Sequence, residues 1–547
     1  MNTKYKYLLI LLISFGFVAC EIDDTIEPNL PPEAVYPALN TNGLDFSNYV
    51  ALGASFTAGF TDGALFIASQ ENSFPNILAQ QFGTANFTQP LMSDNIGGLL
   101  FGGNQIANPR FFFDGAGPAL LTATPTTEIV GSTPGPYSNM GVPGAKSFHL
   151  LFDGYGNQGG LLTDPATANP YFVRMASSPT ATMLGDAMSK SPSFFTLSEI
   201  GGNDVLGYAT TGGDGTNAIT PSAGPPGVGF DQTFGALVAT ITSGGAKGVV
   251  TNVPYITDLP HFTTVPYAPL DPSNETFGPL IPTLNNVYGA LNDVYAFLQS
   301  QGAITDAAAR TITFSTSAAS AVVIKDEDLA DLSAQIAGVL SASPAFAGLL
   351  ASFGLPTDAG TVGAVAALFG ATFGQTRQAT PEDLLVLPSS SIIGTVNADV
   401  FAFLQSQGLP AAVAGQFAVE GITLPLEDKW VLIPSEQDEI KAATDAYNVT
   451  IDAVASSNAD VALVDLNSIL TEASTSGVMF DDFTLTTNLV TGGLVSLDGI
   501  HLTGKGYALM ANKFLEAIDA KFGSNFILSN STAKAVDYPT NYSPTLQ

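Results

Sequence analysis

Four short stretches of the chain carry residue types that could act together on one bond. The first is Gly53-Ala54-Ser55, where an apolar run ends in a serine hydroxyl. The second is Asn139-Met140-Gly141-Val142-Pro143-Gly144, whose glycines let backbone approach a substrate closely. The third is Ile200-Gly201-Gly202-Asn203-Asp204, in which the Asn203 amide is a donor of the kind that stabilises an oxyanion. The fourth, Asp498-Gly499-Ile500-His501, sets a carboxylate and an imidazole three residues apart. At that spacing both can share one turn, the carboxylate fixing the imidazole tautomer and stabilising the imidazolium. Taken singly, each stretch has a plain structural explanation: a capping serine, a glycine turn, an Asn-Asp turn, a surface turn with an incidental histidine. His149 and His261 fall outside the set and read as loop or core histidines, with His261 placed to reach a pocket rim.

These side chains need a frame. Tyr49–Ser55 (YVALGAS), Ser193–Glu199 (SFFTLSE), Gly248–Val253 (GVVTNV) and Asp460–Leu466 (DVALVDL) read as strands, rich in apolar and β-branched residues. Near-continuous apolar strands between helical stretches argue for an α/β fold with a parallel sheet covered on both faces. Open sheets of this kind place ligands at the carboxyl ends of their strands, which is where Ser55 and Asn203 fall. Helices are expected at Asn72–Phe82, with Pro75 in the first turn, and at Ser435–Ala455, where Ser435 and Asp438 are spaced like a variant capping box.

Two stretches read as insertions. Gly97–Tyr137 is rich in Gly, Pro and Phe, and its Arg110–Asp114 run is expected to bury its rings, a bound acyl or aromatic group being the other use. Ala303–Asp428 contains LADLSAQIAGVL and VGAVAALFGATF, both with helical periodicity. It is expected to form a mainly helical cap bordering the pocket at the sheet edge.

The 547 residues exceed one average domain and are 46% hydrophobic, ample for a sizeable core. With 16 basic and 48 acidic residues the net charge is −32. A phosphate backbone is repelled by such a surface, so nucleic acid is disfavoured as a partner. Cys20 is the single cysteine, which excludes an intrachain disulfide and any zinc site built from paired thiolates. The three histidines lie far apart, so no metal-ligand spacing is present.

The first residues read MNTKYKYLLILLISFGFVAC. Lys4 and Lys6 precede an apolar run from Leu8 to Val18, too short to span a bilayer, which needs about twenty residues. Small Ala19 and then Cys20 close it, so the segment resembles a bacterial lipoprotein signal with Cys20 as the acylated residue. Phe17 stands where such signals usually carry Leu. Acylation would hold the chain on a membrane. Glu21, Asp23 and Asp24 read equally as a surface-export signal or as the start of a solvated tether, and EPNLPPEAVYP as a Pro-stiffened spacer.

Taken together and in order, the four chemical stretches resemble the SGNH/GDSL hydrolase family. Its first block, usually Gly-Asp-Ser-Leu, reads GASF here; its second contributes a glycine that falls on Gly144; its GxND block matches Gly201–Asp204; its DxxH block matches Asp498 and His501, followed by Leu502-Thr503. Ala54 departs from the family's usual Asp, which bears on hydrogen bonding in that loop more than on the reaction.

The resemblance implies a three-layer, flavodoxin-like parallel sheet with a large mainly helical insertion, and a catalytic triad of Ser55, His501 and Asp498. It implies an oxyanion hole from Asn203 and the N–H groups of Gly144 and Ser55, and no cofactor. The organisation expected is a signal peptide at 1–19, a tether at 20–45, the hydrolase domain at 46–530 with the insertion at about 303–428, and a tail at 531–547. The implied function is ester hydrolysis at the cell envelope, as an outer-membrane lipoprotein, on an acyl lipid or an acylated glycan. A catalytically inactive binding or adhesion lipoprotein on the same scaffold is the alternative.

Overall fold

The computed structural model describes residues 35–131 and 134–547. The signal-like segment, Cys20 and most of the expected tether lie outside the described residues. From Ala38 onward the chain is already docked, because Asn525 bonds the backbone of Ala38 and Asn40.

Five strands form one sheet: β1 (Tyr49–Gly53), β2 (Asn139–Gly141), β3 (Phe194–Ser198), β4 (Lys247–Thr251) and β5 (Val461–Val464). Their spatial order is β5-β4-β3-β1-β2, and every neighbouring pair runs parallel. The fold is therefore mixed α/β around a parallel sheet. Leu52 of β1 is in register with Met140 on one side and Leu197 on the other. All residues of β1 and β3 are buried, as strands covered on both faces must be. The chain reverses its direction of winding about β1, which opens a crevice at the carboxyl ends of β1 and β3.

The helices that position the site or cover the sheet are α1 (Phe74–Phe82), α2 (Met183–Ser189), α3 (Gly202–Thr210), α4 (Phe230–Thr242), α5 (Ile281–Ser300), α6 (Ser333–Ser341), α7 (Pro344–Ser352), α8 (Ala359–Phe373), α9 (Pro434–Ser457), α10 (Leu466–Thr475) and α11 (Gly504–Phe522). Helix α1 packs on α11, which lies along β4 and β5, while α2, α4 and α9 form a second group against the sheet. Aromatic rings close the amino-terminal end of the strands: Phe194 meets Phe46 and Phe82 at centroid distances of 4.7 and 5.6 Å. Truncating such a fully buried ring costs about 3–5 kcal/mol. Among the described residues no single helix is long and apolar enough to cross a membrane.

Several sequence expectations shift. The stretch at Asn139 is not only a turn; three residues pair as the edge strand β2, too short and glycine-rich to carry a strand signal. Helix α9 starts at Pro434, and Glu436 rather than Asp438 reaches back, accepting the Ile433 N–H at 2.8 Å. Pro434 in the first helical position fixes that earlier start. The Gly97–Tyr137 stretch forms two small hairpins, Leu99–Phe101 with Asn104–Ala107 and Phe111–Phe113 with Pro118–Leu120.

In that run Phe111 and Phe112 are only half-buried, and Phe113 is exposed. Arg110 is the residue that disappears inside. Its guanidinium donates to the carbonyls of Asn95, Phe111, Tyr542, Ser543 and Leu546. A buried guanidinium must place its five N–H donors, and carbonyls of the 531–547 segment take most of them. That segment is consequently packed on the body, with Ala533 and Ala535 in the main core.

A second hydrophobic core lies between β4 and β5 in sequence. It runs from Val265 to Ile433 and contains α5 through α8, so it begins well before residue 303. Helices α6 and α8 coincide with the two stretches of helical periodicity and pack on each other.

Candidate active site

Ser55 follows β1 as the first residue of a single helical turn, Ser55–Ala58. The approach is tight: a Cβ on Gly53 would lie 2.2 Å from Thr57 Oγ1 and 2.7 Å from the Ser198 carbonyl, so only glycine fits. With Ala54 in place of an acid, the loop's N–H groups find their acceptor elsewhere. Glu199, just after β3, accepts the N–H of Ala54 at 2.6 Å and of Thr57 at 3.0 Å through Oε1. Its own N–H is bonded to Thr251 Oγ1 at 2.8 Å. Burial pushes the Glu199 carboxyl up to about 8, against the pull of those N–H groups, and its Oε2 has no partner.

Asn203 lies in the first turn of α3 and spends one amide hydrogen on the Ala145 carbonyl at 3.0 Å. Its second amide hydrogen is left for another acceptor. Asp204 beside it is fully buried and accepts both the Ser147 N–H (2.9 Å) and hydroxyl (2.7 Å). That bond ties α3 to the loop that carries Gly144. Gly144 has φ +79°, and the Ala145 N–H bonds the Val142 carbonyl, so Val142-Pro143-Gly144-Ala145 fits a type II turn. The turn leaves Gly144 exposed, its N–H outside the turn's own hydrogen bond. Asn139 completes the tie, donating through Nδ2 to the Thr57 carbonyl at 2.8 Å.

The fourth stretch folds as a turn closed by a Val495–Leu502 bridge and a Ser496 N–H to His501 carbonyl bond of 2.7 Å. His501 Nδ1 lies 2.9 Å from Asp498 Oδ2. Asp498 also accepts the N–H groups of Gly63, Ile500 and His501 and the Ser496 hydroxyl. Burial opposes its ionisation, but the neighbouring His501 and these donors prevail and hold the carboxyl well below its ordinary range. An ionised acceptor fixes the proton on Nδ1 and leaves Nε2 with a lone pair. The ring of His501 rests against Phe60 (4.6 Å) and Phe56 (5.9 Å), both in the segment that begins with Ser55. No hydrogen bond joins the Ser55 hydroxyl to His501 among the described residues; such bonds often close only around substrate.

Two supporting residues escaped the sequence reading. Glu199 holds the Ser55 turn. Asp62 accepts the Leu497 N–H at 3.1 Å and its own N–H bonds Ser496 Oγ at 3.0 Å, locking the Thr61–Gly63 loop to the Asp498 turn. Burial pushes the Asp62 carboxyl up to about 7. Neither has a motif spacing, because each acts across more than a hundred residues. His261 is buried beside the site with neither ring nitrogen bonded, and burial pushes its imidazole down to about 4. His149 instead stacks on Tyr155 at 4.2 Å and accepts the Lys146 N–H through Nδ1.

Ser55, Glu199 and Asn203 line one apolar cavity of about 90 Å³. Its walls come from α3, α10, α11 and the Pro254–Leu259 segment, and residues 303–428 contribute none. The expected helical cap is therefore not a wall of this cavity. It reaches the site through Leu387, whose side chain packs against Gly499 of the Asp498–His501 turn.

Away from the site, Glu327, Asp428 and Glu436 gather within 4.8 Å, a cluster that sequence spacing concealed. Burial pushes Glu436 up to about 9.

Comparison of the chain with protein-family models, with curated proteins and with solved structures finds no match.

Proposed function

We propose that the protein is a serine ester hydrolase of the SGNH/GDSL type. The observation that carries this reading is the Asp498–His501 pair at 2.9 Å beside a serine that shares a cavity with the Asn203 amide, one of whose two hydrogens is bonded to Ala145. Serine is a weak nucleophile until an adjacent base takes its proton. His501 takes the proton of Ser55 through Nε2 as the hydroxyl attacks the ester carbonyl. Asp498 stabilises the imidazolium that forms. The carbonyl oxygen becomes an oxyanion, held by the Asn203 amide and the N–H groups of Gly144 and Ser55; each such donor is worth about 3 kcal/mol. The imidazolium then protonates the leaving alcohol, and water activated by the same histidine releases the acyl group.

On this reading the chain adopts the three-layer, flavodoxin-like scaffold of that family, with the helical unit between β4 and β5 as its insertion. It is held at the cell envelope, as an outer-membrane lipoprotein, through acylated Cys20, and its negative charge keeps nucleic acid away. Purified protein should hydrolyse aryl esters, and Ser55→Ala and His501→Ala should each abolish turnover while remaining folded. Unchanged hydrolysis in Ser55→Ala would refute the assignment, and a folded but inert wild type would leave the scaffold as a binding protein. Metabolic labelling with a fatty-acid analogue should tag the wild type and not Cys20→Ser; an untagged wild type would rule out the anchor.

A further inference from the structure

The cavity beside Ser55 has a direction. It starts at Ser55 and Asn203 and follows α11 from Gly506 through Leu509 and Met510 to Lys513. Seven residues of helix rise about 10 Å, so the cavity is long as well as narrow. Leu206 of α3 and Ile469 and Leu470 of α10 form the facing walls.

Polar groups are few along this path. Lys513 turns its ammonium outward to Glu516 at 3.0 Å, so that its aliphatic stem is what the cavity meets. Glu199, at the serine end, is driven towards its neutral form by burial. A sugar would find almost no hydrogen-bond partners here, and an acetyl group on Ser55 would not reach the leucine and methionine side chains of α11.

The two halves of an ester are told apart by His501. The leaving oxygen must face the imidazole to be protonated, and the imidazole is not among the cavity's walls, whereas the oxyanion donor Asn203 is. We propose that this cavity is an acyl-chain site, and that the substrate is the ester of a fatty acyl chain long enough to reach past Met510, not an acetylated glycan. This rests on the serine-hydrolase reading of Ser55 and decides between the two substrate classes left open by it.

The test is the specificity constant of the full-length protein for p-nitrophenyl esters from acetyl to decanoyl, alongside fluorophosphonate labelling of Ser55. Each methylene taken into the cavity should raise kcat/KM about fourfold, on the order of a thousandfold from acetyl to octanoyl. Leu206→Trp and Ile469→Trp replace half-buried lining residues on different helices and fill the cavity. Each should lower the octanoyl-to-acetyl ratio at least tenfold while Ser55 still reacts with the probe. A flat or acetyl-favouring series from a protein labelled at Ser55 would overturn the acyl-chain site and leave the hydrolase reading standing. So would a chain-length profile unmoved by both tryptophans in folded protein. A wild type with no label on Ser55 would instead remove the hydrolase reading itself. The wild-type series decides even where neither tryptophan is tolerated.

Discussion

Asp498 and Glu199 are both buried carboxylates, and both accept backbone N–H groups from a turn that carries a reacting side chain. Burial works against ionisation in each. At Asp498 the imidazole of His501 and a full set of donors reverse that effect. At Glu199 two N–H groups face one oxygen, the other oxygen has no partner, and burial prevails. The same functional group is thus an ionised electrostatic partner in one turn and a mainly neutral brace in the other. Burial alone does not decide the charge state; an imidazole partner and the count of donors do.

Substitution separates the two roles. Asp498→Asn keeps the shape but offers His501 the wrong hydrogen-bond pattern, and kcat should fall about 10⁴-fold. Glu199→Gln keeps an acceptor for Ala54 and Thr57 and carries no charge, so kcat should stay within about tenfold. This outcome treats Glu199 as neutral in the working enzyme. A Glu199→Gln variant as dead as Asp498→Asn would erase the distinction.

Glu199→Ala removes the brace outright. Two buried N–H groups then lose their acceptor, at about 1–3 kcal/mol each, which should be read as a lower urea midpoint than that of Glu199→Gln. Equal midpoints for the two variants would show that the Ser55 turn does not depend on this carboxylate.

The smallest effect is in the pH dependence of stability. A carboxyl raised in the folded state keeps a proton that the unfolded chain has released, so its contribution is present at low pH and declines as pH rises through the folded value. With Glu199 at about 8 and Asp62 at about 7, that decline runs from the ordinary carboxylate range up to those values and is complete above them. Asp498 has the opposite sign, losing its contribution only as pH falls below the ordinary carboxylate range. Urea unfolding from about pH 5 to about pH 8 should therefore show declining stability, with a shallower slope in Glu199→Gln. A steeper slope in that variant would contradict the assignment.

The contrast also explains what the sequence could reveal. The Asp498–His501 pair is local, so spacing alone placed both groups in one turn. Four strands of the sheet were legible as apolar runs to within about two residues of their ends. Helices α6 and α8 announced themselves by periodicity. By contrast, Glu199 supports a turn 145 positions away, and Asp62 reaches Leu497 across 435. Strand β2 carries no pattern in three residues. The second core draws α5 into the unit that composition had started at residue 303, because packing and not residue bias sets its edge. The cavity walls come from segments scattered from Ser55 to Lys513 that only the sheet topology brings together.

The central claim is that Ser55 is the activated nucleophile, with His501 as its base. Its most direct measurement is peptide mass spectrometry of the full-length protein after reaction with a fluorophosphonate. The account predicts one adduct, on Ser55, absent from Ser55→Ala and formed far more slowly in His501→Ala. An adduct on a different serine, or folded protein that takes up no probe, would contradict it.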